Sequence, residues 1–192
     1  MKGRESGMPS QDTWDKFFDA PAAVVRLLSP LRVPVGNVVE FGCGYGTFTI
    51  PAAMLAVGVV TALDIEPEMV AYVRAKARAA GLPHINAELR DFVEQGSGLD
   101  DESQAHAMIY NLLHIENPLH LLREAARNLR AGGSISVIHW RSDVPTPRGP
   151  PLAMRPTPEQ CAEWLREAGF HSIATVELQD ICPYHYGMIA VR

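Results

Sequence analysis

Glu40-Phe41-Gly42-Cys43-Gly44-Tyr45-Gly46-Thr47 closes an apolar run that begins at Val35, and this glycine-spaced turn constrains the fold more than any other stretch. A short apolar run ending in glycines reads as a buried strand. Side chains at Gly42, Gly44 or Gly46 would block close approach of a ligand to the backbone, and a helix N-terminus behind the turn would offer it free N–H groups. The spacing is G-x-G-x-G, with Thr47 where a dinucleotide fingerprint wants its third glycine, so the fit to a pyrophosphate is imperfect. Asp64 ends the next apolar run, 18 residues after Gly46, where a carboxylate can accept from ribose hydroxyls. Turn and carboxylate together point to a nucleoside ligand.

Further runs at Val57 to Leu63, Ala107 to Tyr110 and Ser134 to His139 read as buried parallel strands. Between them, Met69, Val70, Val73 and Ala77, and later Leu122, Ala125, Ala126 and Leu129, recur at helical spacing. Ala80-Gly81-Leu82, Ala131-Gly132-Gly133 and Ala168-Gly169-Phe170 each place glycine where a helix would end in a left-handed residue. Strand–helix–strand repeats need right-handed crossovers and give a doubly wound α/β sheet. After a helix over Thr157 to Ala168, the runs Ser172 to Leu178 and His185 to Val191 are separated only by a turn around Cys182-Pro183. That gap is too short for a parallel crossover, so these two strands are expected to pair antiparallel.

The chain has 192 residues, 47% of them hydrophobic, which fits a single domain, residues 1–192. Its net charge of −5 is spread without a cationic block, which argues against nucleic acid and membrane surfaces as partners. Cys43, Cys161 and Cys182 are too scattered for a disulfide framework or a zinc site, so no metal is expected and a reducing cytoplasm suits them. The first residues lack a signal peptide's apolar core, and no run could span a bilayer. Residues 1–11 are expected to fray.

These motifs resemble the class I S-adenosylmethionine-dependent methyltransferases, close to the small methyltransferase-domain proteins. The similarity rests on the acidic residue plus G-x-G-x-G of Glu40 to Gly46. It continues through Leu63-Asp64-Ile65 with Pro67 and Met69-Val70, Arg90-Asp91-Phe92, Asn111-Leu112-Leu113-His114-Ile115 and Arg130-Ala131-Gly132-Gly133. The resemblance implies a Rossmann-like seven-stranded sheet of order 3-2-1-4-5-7-6, strand 7 antiparallel, with helices on both faces. It also implies S-adenosylmethionine as cofactor. Gly42, Gly44 and Gly46 would lie against its methionine part with Glu40 nearby; Asp64 would hold the ribose diol and Ile65 pack on adenine. Asp91 would accept from the adenine amino group beside Phe92, and Asn111 and Leu112 would line the cleft near the sulfonium. An N-terminal helical lid over residues 12–30, with Trp14, Lys16 and Phe17, would cover the cofactor. Relatives often read S-F-D before the fourth strand, where this chain has Gln104-Ala105-His106; little functional consequence is expected.

Methyl transfer from a sulfonium needs alignment more than acid–base help. If the acceptor carries a proton, His114 and His139, which follow strand ends at the cleft, are candidate general bases; the alternative is that they only line the pocket. A Pro-rich loop, residues 141–158, together with Trp140, Arg141 and Arg148, is expected on the substrate side. The two arginines suit a carboxylate or phosphate, or else cap the loop's own carbonyls. Tyr184, His185 and Tyr186 would close the other side or simply pack; Met69, Met108 and Trp164 belong in the core. Signatures of DNA amino and cytosine-C5 methylation are absent, so a small-molecule acceptor is expected. The rival readings are a non-catalytic module binding S-adenosylmethionine or S-adenosylhomocysteine and, less favoured, a nicotinamide-dinucleotide oxidoreductase. Neither the acceptor atom nor the oligomeric state is legible.

Overall fold

A computed structural model describes residues 9–28 and 35–192. Seven strands form one sheet in the order β3-β2-β1-β4-β5-β7-β6: β1 Val38–Phe41, β2 Val60–Asp64, β3 Ile85–Leu89, β4 Gln104–Tyr110, β5 Leu129–Trp140, β6 His171–Val176 and β7 His185–Val191. β1 to β5 pair in parallel, whereas β7 runs antiparallel to both β5 and β6. The reversed strand and the order match the expectation. The edge strand β3 escapes a reading by apolar runs because Ile-Asn-Ala-Glu-Leu buries only Ala87 fully.

The helices are α1 Gln11–Trp14, α2 Ala20–Leu28, α3 Thr49–Leu55, α4 Pro67–Ala79, α5 Phe92–Gln95, α6 Pro118–Asn128 and α7 Pro158–Glu167. They divide between the two faces, which is why the central strands bury residues on both sides. Val39, Phe41, Ala107, Ile109, Ile135 and Val137 pack toward α6 and α7, with Leu122, Ala125 and Leu165. Val38, Met108, Tyr110 and Ile138 pack toward α2 and α3, with Val24, Leu27 and Ala52. The polar residues on that second face satisfy one another. His106 Nδ1 and Nε2 lie 2.8 Å from the hydroxyls of Ser134 and Ser136, and the Tyr110 hydroxyl lies 2.7 Å from Ser136. Gln104, Ala105 and His106 thus begin β4 itself rather than precede it.

Two of the three expected glycine stops are correct. Gly81 (φ 65°) and Gly169 (φ 96°) follow the caps of α4 and α7 in the left-handed region. Ala131-Gly132-Gly133 lies inside the extended β5 segment, because α6 already ends at Asn128 and Leu129 is extended. α7 opens on a capping box: Thr157 Oγ1 accepts from Gln160 N, and Gln160 Oε1 accepts from Thr157 N. Among the described residues no helix is long and apolar enough to cross a membrane. Of the segment expected to fray, residues 1–8 lie outside the described residues, as do 29 and 30 of the expected lid.

Candidate active site

Because β1 to β5 are parallel, their C-terminal ends share one edge of the sheet, and the start of antiparallel β7 joins them there. A cleft of about 390 Å³ opens along this edge, within the size range of small-molecule sites. Its walls hold Glu40, Gly42, Cys43 and Gly44 from the glycine turn, Asp64 and Ile65 after β2, and Asp91 and Phe92 at α5. Asn111, Leu112 and His114 after β4 and Trp140 of β5 complete them.

The turn is fastened by backbone. Gly42 and Cys43 N–H both donate to Leu63 O, at 2.9 and 3.0 Å, and Gly46 N–H donates to Cys43 O. Gly42 (φ 74°) and Gly46 (φ 73°) sit in the left-handed region, which favours glycine. A Cβ on Gly42 would project beside Leu112 and Phe92 and fill part of the cleft floor. Gly46 departs from expectation: it does not line the cleft, and a Cβ there would press within 3.1 Å of Val73 on α4. Its role is close turn–helix packing. The helix also begins later than expected, at Thr49, so Tyr45 to Phe48 intervene between the glycines and α3.

Asp64 is buried, and its oxygens are aimed by backbone: Gly44 N–H donates to Oδ2 at 2.8 Å and Glu66 N–H to Oδ1 at 3.0 Å. Burial raises its pKa against these backbone donors. Glu40 is fully desolvated and pushed up to about 8 by burial, partly offset by the Thr49 hydroxyl that donates to it. Asp91 caps α5, accepting from Glu94 N–H. Asn111 is the most telling residue. Held at φ 55°, it has both its amide nitrogen and its oxygen buried without a partner among the described residues. A buried amide left unsatisfied costs about 1–3 kcal/mol, so such a group in a cleft wall calls for a ligand. The orphaned amide, the carboxylate aimed by backbone and the glycine floor fit a nucleoside cofactor with an amino-acid tail.

The opposite end of the cleft is built differently. Trp140, 2% exposed, is packed by Trp14 (6.3 Å between ring centroids), Phe17 (5.5 Å) and His185 (4.1 Å). His114 lines the cleft; His139 lies behind it, fully buried, with its Nε2 3.4 Å from His114 Nδ1. Burial lowers the pKa of both, His139 to about 3. Of the expected substrate arginines, Arg148 lines the cleft but Arg141 does not: it is spent on Asp143 two residues on, at 2.6 and 3.0 Å. Sequence reasoning missed Arg155, which is 7% exposed and donates to the carbonyls of Pro150, Arg141 and Arg148 while lying over Trp140. All of those partners are backbone carbonyls, so no residue pattern could have marked them. Arg155 ties down the loop that places Arg148, Gly149 and Pro150 on the rim, where Gly149 lies so close that a Cβ would strike the Trp140 ring at 2.8 Å. Tyr186 packs, its hydroxyl donating to Pro156 O. Pro9 and Trp14 complete the rim, and Lys16 is exposed outside it. Cys43 is buried with its thiol pKa raised, consistent with packing.

A methyltransferase-domain family model matches residues 38–133, half of the chain. The ribosomal protein L11 methyltransferase of Dechloromonas aromatica is 31% identical over 102 residues, which is 53% of this chain and 31% of that protein. An uncharacterized Mycobacterium tuberculosis protein is 34% identical over 119 residues, 59% of this chain and 38% of the relative. The match thus spans about a third of the length of these curated relatives. Among solved structures, an S-adenosylmethionine-dependent methyltransferase from Aquifex aeolicus superposes with a TM-score of 0.77 at 22% identity, covering 95% of this chain and 93% of that one. With the family match over the motif-bearing half and the reversed seventh strand, this chain belongs to the methyltransferase-domain family, with the class I fold and S-adenosylmethionine as its cofactor.

Proposed function

We propose that the protein catalyses methyl transfer from S-adenosylmethionine to a small-molecule acceptor by in-line displacement. The observation that carries this reading is the unpartnered Asn111 amide at the junction of the carboxylate-lined and aromatic ends of the cleft. Glu40, Gly42 and Gly44 would receive the amino-acid end of the cofactor, Asp64 the ribose and Ile65, Asp91 and Phe92 the adenine. Asn111 and Leu112 would then lie beside the sulfur. When bound, the cofactor supplies a sulfonium methyl, an electrophile that needs no further activation. The chain's contribution is alignment, which can account for several kcal/mol of a barrier.

A small acceptor is supported by the cleft's rim: among the described residues there, Pro9, Trp14, Arg148, Gly149 and Pro150, Arg148 is the one cation, and the net charge of the chain is −5. In this reading the whole chain works as one domain, with 141–158 as the acceptor-side loop and the cover at the N-terminal side supplied by Pro9 and Trp14, since α2, expected as part of a lid, is packed into the core. The second reading is a protein acceptor, favoured by the relation to an L11 methyltransferase. The two separate in one experiment: the purified chain is incubated with tritiated methyl donor and a cell extract split by ultrafiltration. Label in the small-molecule fraction supports the proposal, and label confined to protein supports the alternative. Binding of the cofactor by calorimetry with no labelled product in either fraction would leave only the non-catalytic module.

A further inference from the structure

Two histidines meet at the aromatic end of the cleft, and the hydrogen bonds of the buried one, His139, fix the protons of its neighbour His114. A carbonyl can only accept, so the 3.2 Å contact between His139 Nδ1 and its partner, Trp140 O, places a proton on Nδ1. His139 is neutral in its apolar setting, so its Nε2 carries a lone pair. The nitrogen facing that lone pair at 3.4 Å is His114 Nδ1, which must be the donor. His114 Nε2 is then bare, and it has no hydrogen-bond partner among the described residues although the ring lines the cleft. Tautomer choice set by the partner of the other ring nitrogen is a general property of imidazole.

We propose that His139 is a positioning residue that holds His114 as the Nδ1–H tautomer, making His114 Nε2 the proton acceptor for a protic methyl acceptor, an O–H or N–H compound. This rests on the methyl-transfer reading above. The acceptor's lone pair takes the methyl carbon, the C–S bond pair returns to sulfur, and the acceptor's proton passes to His114 Nε2. The resulting imidazolium still donates through Nδ1 to His139 and later loses the added proton to solvent. The titratable or charged groups that face the pair are Arg155 from the Pro-rich loop and His185 and Tyr186 from β7. Arg155, a cation, opposes charge on the imidazoles and so keeps the base free at neutral pH.

The test begins without any acceptor: nitrogen-15 NMR of the histidine-labelled protein should find His114 protonated on Nδ1 only, and His139→Leu should yield a mixture of tautomers. A proton on Nε2 in the unaltered protein overturns the proposal. Turnover is then measured with a panel of phenols, hydroxy acids and N–H heterocycles against thioethers and tertiary amines, which have no proton to lose. His114→Gln should lower kcat for protic acceptors by about 100-fold or more with KM little changed. It should also abolish the rise of kcat with pH that sets in below the ordinary histidine value. His139→Leu should lose about tenfold and His139→Gln, whose amide oxygen can accept from His114 Nδ1, should recover most of it. Turnover of aprotic acceptors alone, of none in the panel, or of protic ones at a rate indifferent to His114 overturns the proposal. Calorimetry with S-adenosylmethionine on each variant keeps the two readings apart: retained binding reports an intact fold, and no binding even by the unaltered chain defeats the underlying function instead.

Discussion

The two ends of the cleft solve the same problem, holding polar groups out of water, in opposite ways. The glycine-turn end uses acidic side chains at the ends of successive strands, each braced by donors: Asp64 by Gly44 and Glu66 N–H, Asp91 by Glu94 N–H, Glu40 by the Thr49 hydroxyl. The aromatic end uses basic and aromatic side chains brought from four separated stretches: Trp14 and Phe17, His114, His139 to Arg155, and His185. An end built from local backbone is fixed by short-range geometry, whereas an end built from distant side chains depends on the packing of everything between them.

Arg155→Leu should break the aromatic end most severely. It removes donors from three carbonyls of the Pro-rich loop, so a loss of about 3–4 kcal/mol in unfolding free energy is expected, read by urea denaturation. Cofactor affinity should fall much less than stability. At the other end, Asp64→Ala should cost about 100-fold in S-adenosylmethionine affinity by calorimetry, because it strips the ribose acceptor and leaves two N–H groups unpaired. Affinity within a few fold of the unaltered chain would mean that the carboxylate braces the turn without touching ligand.

The pH dependence of stability sharpens the contrast, since the two ends titrate with opposite sign. Glu40, raised to about 8 by burial, contributes stability fully present below the ordinary carboxylate range and lost as pH rises through 8. His139, lowered to about 3, contributes stability present above the ordinary histidine value of 6.5 and lost as pH falls toward 3, and His106 in the core adds to it. Without cofactor, thermal stability should therefore peak near pH 6.5, with limbs of about 1.4 kcal/mol per pH unit on either side and a steeper fall below the ordinary carboxylate value. Glu40→Gln should flatten the limb between 6.5 and 8 and steepen the acid limb just below 6.5, whereas His139→Gln should weaken the acid limb only. The smallest effect is expected from Thr157→Ala, which removes half of a capping box beyond the loop and should cost about 1 kcal/mol by denaturation, with cofactor binding intact.

Most of the sheet was legible because apolar runs and glycine stops are local signals. The antiparallel pairing of β6 with β7 followed from the short connection alone. β3 was not legible from its own residues, since a half-exposed edge strand carries no continuous apolar run. Gly42, Gly44, Asp64 and Asp91 are readable as cleft residues from the sequence, and the cleft includes them; Gly46 shares the same spacing but lies against Val73 outside the lining. Arg141 and Arg148 looked equivalent in sequence, yet one is consumed by Asp143 and the other reaches the rim.

By itself, then, the sequence determined the alternation that makes a doubly wound sheet and the glycine turn at its edge, since both depend on residues within one strand and the turn that follows. Only the tertiary structure decided that His139 sits behind His114, that Arg155 straps the loop over Trp140, and that the Asn111 amide is left without a partner. Those arrangements depend on which side chains meet across 15 to 25 residues of chain and on which polar groups the packing leaves unpaired, and no local pattern encodes either.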